Sequence, residues 1–248
     1  DLDSPKHVAM DRIVEQELAR DPAGQVLIFA RYRAEVEEYV RRYARHGARA
    51  YYGGLPANAD GYRVDSSGQV LYYAVDEYGA YRLDAQGRPI QATRDSGQPI
   101  RALDYERLVF QNDPSVRILV ATYDAGTVGV TFTGAHAVIY DDLAQTYRDE
   151  YQAADRAHRI DNDRRKYEVR YYWLQARYPE AALGHMDPET RQTYFGMGTY
   201  DQVHFQNLHR QGRVFHRIMD GIGDLRELSN WSMAALKDKM PFLFVGTG

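Results

Sequence analysis

Cysteine is absent from all 248 residues, which excludes disulfides, zinc–thiolate sites and thiol nucleophiles and fits a reducing compartment. No apolar run approaches the roughly 18 residues of a membrane-spanning helix. The first ten residues, DLDSPKHVAM, contain neither an initiator methionine nor the basic and apolar regions of a signal peptide. These absences predict a cytoplasmic chain without membrane contact that is a segment of a longer protein.

Positive charge is also limited. The formal net charge is −4, so no overall basic field attracts nucleic acid, and such a partner would need a local basic patch. Arginine far outnumbers lysine; this suits bidentate phosphate contacts, although a bias in genome composition explains the same excess. Because the histidines show no metal-ligand spacing, we predict no metal for this chain; those considered are His7, His46, His136 and His185.

Short apolar runs alternate with amphipathic segments along most of the chain. Such runs are typical of strands that helices cover on both faces. The predicted strands are residues 25–30, 48–52, 117–122, 135–140 and 168–174, and the predicted helices are residues 11–19, 34–46, 103–112, 146–159, 201–219 and 225–240. The alternation predicts an α/β fold with a mostly parallel sheet and helices on both faces.

A different pattern interrupts this alternation between residues 54 and 101. The unit Tyr-x-Val/Leu-Asp-x-x-Gly recurs at residues 62–68, 73–79 and 81–87. Its Asp-x-x-Gly part supplies a turn, with glycine at the position that needs a positive φ. We predict a small β-meander inserted at about residues 57–101. Its tyrosines either form a small apolar core or stack on nucleic-acid bases.

Candidate site residues follow the strands, because ligands of parallel α/β sheets bind beyond the carboxyl ends of the strands. The loop after Thr122 contains Gly126 and Gly129, which either let backbone N–H groups approach a phosphate or simply permit a tight turn. The loop after the next strand begins with Asp141 and Asp142.

The stretch QAADRAHRI at residues 152–160 lies on the helix that follows these two aspartates. Arg156 and Arg159 are three residues apart and therefore share one helix face, with Gln152 one turn earlier. This set is either a solvated surface or a pair of guanidinium groups directed at an anion.

The order of these motifs resembles the C-terminal RecA-like lobe of superfamily-two helicases, and in particular the Swi/Snf-type branch. The apolar strand 26–30 resembles the family's fourth motif, residues 122–132 its fifth, and residues 152–160 its sixth, Q-A-x-x-R-x-H-R-I-G-Q. Residues 198–201 resemble the start of the family's brace helix, and residues 4–6 resemble the segment that joins the two lobes.

Several positions depart from the family pattern. The Gly-Gln that ends the sixth motif is Asp161-Asn162 here. In the fifth motif, a glycine is replaced by Thr127 and an asparagine by Thr131. These departures affect the coupling between the nucleic-acid and ATP sites but leave the arginines in place.

The resemblance implies a RecA-like fold and a role for each matched residue. The catalytic arginine fingers would be Arg156 and Arg159, the ATP contacts would be Gln152, Gly126 and Gly129, and the nucleic-acid contacts would be Thr122, Arg31 and Arg33. ATP and Mg²⁺ would be held mainly by a first lobe that is absent here. Neither G-x-x-x-x-G-K-[ST] nor a D-E-x-H motif occurs in the sequence, so we expect this chain alone to be inactive.

The domain organisation that follows is a RecA-like lobe at residues 1–175, with the inserted meander, and an insertion with C-terminal brace helices at residues 176–248. The predicted function is the second motor lobe of an ATP-dependent DNA translocase or helicase-like remodelling ATPase. Its predicted partners are double-stranded DNA rather than RNA, the N-terminal RecA-like lobe, and a protein at the meander. The alternative is a catalytically inactive RecA-like module that binds DNA or a protein through the meander.

Overall fold

The computed structural model describes residues 4–126, 132, 134–144, 146, 149, 153 and 169–176, and residues 201, 204, 205, 207, 208 and 210. The chain divides into two compact units, Asp1–Ala176 and Arg177–Gly248. In the second unit all six described positions are helical, within the helix predicted at residues 201–219. The helix predicted at residues 225–240 lies outside the described residues. No described helix combines the length and apolar character needed to cross a membrane.

The first unit alternates helices and strands, as the sequence predicts. Its helices are α1 (Pro5–Arg20), α2 (Arg33–Arg42), α3 (Ala102–Asn112) and the short α4 (Tyr123–Gly126), with a 3₁₀ turn at Ala44–His46. Its strands are β1 (Gln25–Ala30), β2 (Arg49–Tyr51), β3 (Tyr72–Ala74), β4 (Gln91–Ala92), β5 (Gly97–Pro99), β6 (Ile118–Thr122), β7 (Ala135–Tyr140) and β8 (Arg170–Trp173).

A five-stranded sheet with the order β2-β6-β1-β7-β8 forms the centre of this unit. Every pairing between its neighbouring strands is parallel, which confirms the predicted fold class. β1 lies in the middle, and all six of its residues are buried. This is why its sequence is apolar at nearly every position instead of alternating.

Helices cover both faces of the sheet, also as predicted. On one face, α1 and α2 pack Met10 and Tyr39 against strand residues that include Ile28. On the other face, α3 packs Phe110 against residues that include Phe29. Neighbouring residues of β1 therefore enter opposite halves of the core, because successive side chains of a strand point to opposite faces.

α1 begins six residues before the helix that the apolar spacing predicts. Ser4 caps it: the Ser4 hydroxyl accepts a hydrogen bond from the backbone N–H of His7 at 3.2 Å. Pro5 occupies the first helical turn, where its missing N–H costs nothing. These capping signals lie outside the apolar period, which is why the prediction from periodicity placed the start too late.

The inserted meander has the predicted turns. In each repeat the aspartate carboxylate accepts backbone N–H groups two and four residues later, and Gly68, Gly79 and Gly87 have φ values of 83°, 81° and 84°. Only β3, β4 and β5 form a regular sheet, which is antiparallel with the order β4-β3-β5. Isolated antiparallel bridges connect the other extended segments of the meander.

The meander packs on α3 of the parallel lobe. The buried Tyr73 ring lies 5.4 Å from the Tyr105 ring of α3, and the Arg63 guanidinium lies 3.6 Å from that same ring. A Cβ at Gly87 would lie 2.0 Å from the backbone oxygen of Asn112, so only glycine permits this approach. Tyr73, the tyrosine of the second repeat, thus serves packing, one of the two roles that the sequence left open.

A buried charge network ties the amino edge of the sheet to α1. Glu17 has no exposed side-chain surface and accepts hydrogen bonds from Arg170 Nη1 at 2.9 Å and from the Tyr172 hydroxyl at 2.7 Å. His136 Nε2 lies 3.5 Å from a Glu17 carboxylate oxygen, but neither ring nitrogen makes a hydrogen bond with a described residue. Burial lowers the pKa of His136.

Candidate functional site

The carboxyl ends of β6, β1 and β7 lie side by side. Thr122 pairs with Ala30, and Phe29 pairs with Tyr140. The residues that follow these three strands are therefore brought to one edge of the sheet, as the sequence predicts for a parallel α/β fold. Thr122 itself is half-buried, at the end of β6.

The loop predicted after Thr122 begins instead as a short helix, α4, that ends at Gly126. Gly126 is buried, and a Cβ added there would lie 2.5 Å from Cε1 of Phe29. The missing side chain at Gly126 is thus required for packing against the sheet. The companion residue Gly129 lies outside the described residues.

A cluster of aromatic rings supports α4. The rings of Phe29, Tyr123 and Tyr140 all contact one another, with centroids 5.2 Å (Phe29–Tyr123), 5.6 Å (Phe29–Tyr140) and 6.2 Å (Tyr123–Tyr140) apart, and Tyr140 also stacks on Trp173 at 5.5 Å. The Tyr123 hydroxyl donates a hydrogen bond to the backbone oxygen of Asp142 at 2.6 Å. These contacts hold the segments after β6 and β7 together.

Of the two predicted phosphate contacts in this region, Arg31 lies in the turn between β1 and α2, and Arg33 is the first residue of α2. The Arg33 side chain is 61% exposed and donates through Nε to Glu37 at 2.8 Å. This hydrogen bond to Glu37 raises the pKa of Arg33. The Arg31 guanidinium lies 5.6 Å from the centre of the Tyr32 ring. Because solvent screens the exposed Arg33–Glu37 pair, a phosphate could replace Glu37 at little cost.

Glu35 fixes the backbone of this turn. One of its carboxylate oxygens accepts the N–H of Arg31 at 3.1 Å and the N–H of Tyr32 at 2.9 Å. Tyr32 is the N-cap of α2, and a helix start leaves its first N–H groups without an intrahelical acceptor. Burial raises the pKa of Glu35, and the nearby charges of Asp141 and Asp142 add to the effect.

Asp141 and Asp142 follow β7 beside this turn. Lys6 Nζ donates to the backbone oxygen of Asp141 at 3.0 Å and to the carboxylate of Asp142 at 3.1 Å. Burial raises the pKa of Asp141. The sequence marked the two aspartates as following a buried strand, but it gave no sign that Glu35 lies beside them.

The predicted catalytic and nucleotide contacts of the sixth motif cannot be placed, since Gln152, Arg156 and Arg159 lie outside the described residues. One neighbour is described: Ala153 is helical, has no exposed surface and belongs to the core on the α3 side of the sheet. The roles assigned to the three residues stay predictions.

Comparisons with known proteins agree with the sequence motifs. Residues 101–161 match the family described as helicase conserved C-terminal domain. An uncharacterized ATP-dependent helicase of Schizosaccharomyces pombe is 46% identical over 56 residues, which are 22% of this chain and 5% of the relative. Among solved structures, the C-terminal part of the Fun30 ATPase domain aligns with a TM-score of 0.44 and 17% identity, over 82% of this chain and 52% of that chain.

The chain spans a small part of the curated relative and about half of the solved chain. The matched segment begins just before α3 and includes β6, β7 and the predicted fifth and sixth motifs. We conclude that residues 101–161 are similar to the helicase conserved C-terminal domain, which is consistent with the second RecA-like lobe of a superfamily-two helicase.

Proposed function

We propose that this chain supplies the second motor lobe of an ATP-dependent DNA translocase or remodelling ATPase of the Swi/Snf type. The observation that carries the proposal is the helicase-domain match over residues 101–161, which includes Gln152, Arg156 and Arg159. A parallel sheet supports it, because its carboxyl edge is where α/β proteins of this kind bind their ligands.

Arg156 and Arg159 are the proposed arginine fingers. On a regular helix, positions 152, 156 and 159 fall within an arc of about 60°, to one side of position 153. The buried Ala153 fixes which side of its helical turn faces the core. Two guanidinium groups on one flank would stabilise the charge on a transferring phosphoryl group, an effect worth about 10³–10⁵ in rate in related sites.

ATP would supply the transferring phosphoryl group and would be held, with Mg²⁺, mainly by a first lobe. Gln152 and Gly129 are proposed to complete its site from this chain. Gly126 is the one proposed ATP contact within the described ranges, and packing against Phe29 already accounts for its lack of a side chain. The functional test therefore uses the proposed arginine fingers, Arg156 and Arg159, and not Gly126.

Thr122, Arg31 and Arg33 are proposed to hold the phosphates of double-stranded DNA. Thr122 ends β6, and Arg31 and Arg33 follow the adjacent strand β1, so all three lie at one edge of the sheet. The Arg33 side chain is 61% exposed, and its ion pair with Glu37 is solvated. Contacts of this kind position the duplex without reading its sequence. ATP-driven closure against the first lobe would then move the pair of lobes along the DNA.

The test is ATP hydrolysis by the full-length parent protein with double-stranded DNA, single-stranded DNA or RNA. We expect the Arg159→Ala variant to lose about 10³-fold or more of the DNA-stimulated turnover. Arg12→Ala, at an exposed position of α1, is the matched control and should keep it. The isolated chain should hydrolyse no ATP.

Near-normal turnover in Arg159→Ala would refute the arginine-finger assignment. Stronger stimulation by RNA than by duplex DNA would move the proposal to an RNA motor. A parent protein that binds DNA but hydrolyses no ATP with any nucleic acid would favour the inactive binding module instead.

A further inference from the structure

Three carboxylates converge beside the start of α2. Glu35, Asp141 and Asp142 each offer an oxygen, and the three oxygens lie within 4.8 Å of one another. Glu35 belongs to the first turn of α2, while the two aspartates follow β7, so the cluster joins parts of the chain that are about a hundred residues apart. No other such group of potential metal ligands occurs among the residues that the structure describes.

Asp141 is the buried member of this cluster. It is 6% exposed, and its Oδ1 atom has no hydrogen-bond partner within the described structure. Leaving a buried charged acceptor without a partner costs free energy, so such an atom calls for an explanation. Asp141 lines a cavity of about 250 Å³ together with Glu35 and Asp142, which gives a ligand room to reach it.

The cavity lining carries an excess of negative charge. Four acidic residues line it, Glu35, Glu38, Asp141 and Asp142, against the basic side chains of Lys6 and His7. Lys6 Nζ already bonds to the Asp142 carboxylate and to the backbone oxygen of Asp141. A single ammonium therefore partly neutralises the cluster and leaves the Asp141 Oδ1 atom unsatisfied.

We propose that Glu35, Asp141 and Asp142 bind a hard divalent cation such as Mg²⁺, Mn²⁺ or Ca²⁺. These ions bind carboxylate oxygens at about 2.0–2.6 Å, so two oxygens on one ion are separated by at most about 4–5 Å, which the observed spacing meets. An all-oxygen ligand set favours such ions over softer metals. The cavity has room for the waters that would complete the coordination.

Lys6 and the cation would compete for the same carboxylates. Binding of the ion would release Lys6 from Asp142 and so free one attachment of the first turn of α1. Removal of the Lys6 charge should therefore strengthen cation binding. This expectation separates a built site from nonspecific attraction to acidic residues, which does not depend on one particular lysine.

The experiment is a Mn²⁺ titration of the 248-residue chain without nucleotide, with free Mn²⁺ followed by electron paramagnetic resonance. We expect one saturable site that Mg²⁺ or Ca²⁺ displaces. Asp141→Asn and Asp142→Asn should each weaken it about tenfold or more, since even outer contacts of metal sites are worth 10–100-fold. Lys6→Met should bind Mn²⁺ more tightly, and Glu77→Gln, at an exposed acid of the meander, should bind as the unchanged chain does.

Absence of saturable binding would overturn the proposal, as would aspartate variants that bind Mn²⁺ as tightly as the unchanged chain. Circular dichroism checks the fold of each variant. If Asp141→Asn fails to fold, Asp142→Asn decides the question, because the Asp142 side chain is 28% exposed and a change there disturbs the core less. No ATP or DNA enters the assay, so its outcome is separate from that of the ATPase test.

Discussion

Gly126→Ala tests whether the glycine of the predicted fifth motif is present for packing. A methyl group at this position would lie 2.5 Å from Cε1 of Phe29 and 3.5 Å from Cβ of Ala121. The first distance is about 1 Å shorter than a favourable carbon–carbon contact. The Phe29 ring is fully buried and contacts the rings of both Tyr123 and Tyr140, so it has little room to move away.

Two effects of opposite sign determine how much Gly126→Ala changes the free energy of unfolding. Alanine is favoured over glycine by up to about 1 kcal/mol within a helix, and Gly126 ends the short helix α4, where the gain is smaller. Forcing an extra methyl group into a packed core costs about 1–3 kcal/mol. The cost of steric overlap should exceed the gain in helix propensity, so we expect Gly126→Ala to lower the free energy of unfolding by about 1–2 kcal/mol.

Urea denaturation of the chain, followed by fluorescence and near-ultraviolet circular dichroism, measures this loss. Gly53→Ala is the matched control, because a Cβ there meets no atom within 4 Å. Phe29→Leu should make Gly126→Ala less costly, since the smaller side chain removes the overlapping ring atom. A Gly126→Ala variant as stable as the unchanged chain, or a double variant with fully additive losses, would refute the packing argument.

Two further predictions concern other parts of the first unit. Burial lowers the pKa of His136, so the unfolded chain binds the proton more readily, and stability present above about pH 6.5 should be lost as the pH falls below it. Urea denaturation near pH 7.5 and near pH 5.5 gives the free energy of unfolding at each pH. Between these values the unchanged chain should lose up to about 1.4 kcal/mol per pH unit, and His136→Gln should not. An equal loss in the variant would contradict this. Gly87→Ala should detach the meander from α3, because its Cβ would lie 2.0 Å from the Asn112 oxygen, whereas Gly68→Ala, with nearly the same φ and open space, should not. Limited proteolysis of the meander measures the difference, and equal cleavage of the two variants would argue against the docking contact.

The sequence predicted correctly the strands and turns that depend on residues close together in the chain. The bounds of β1 and β7 match the predicted residues 25–30 and 135–140, because strands buried on both faces are apolar along their whole length. The three Asp-x-x-Gly turns also match, since aspartate and glycine act within four residues of each other. The early start of α1 and the helix α4 were missed because neither shows an apolar period.

The sequence by itself determined the α/β class, the meander and the helicase-type motifs, because each depends on residues that are close together in the chain. The strand order, the packing reason for Gly126 and the meeting of Glu35 with Asp141 and Asp142 depended on the tertiary structure. Glu35 and the aspartates become neighbours only because β1 and β7 pair in parallel, which brings the turns after both strands to the same edge. Periodicity in one segment carries no information about which distant segment will lie beside it.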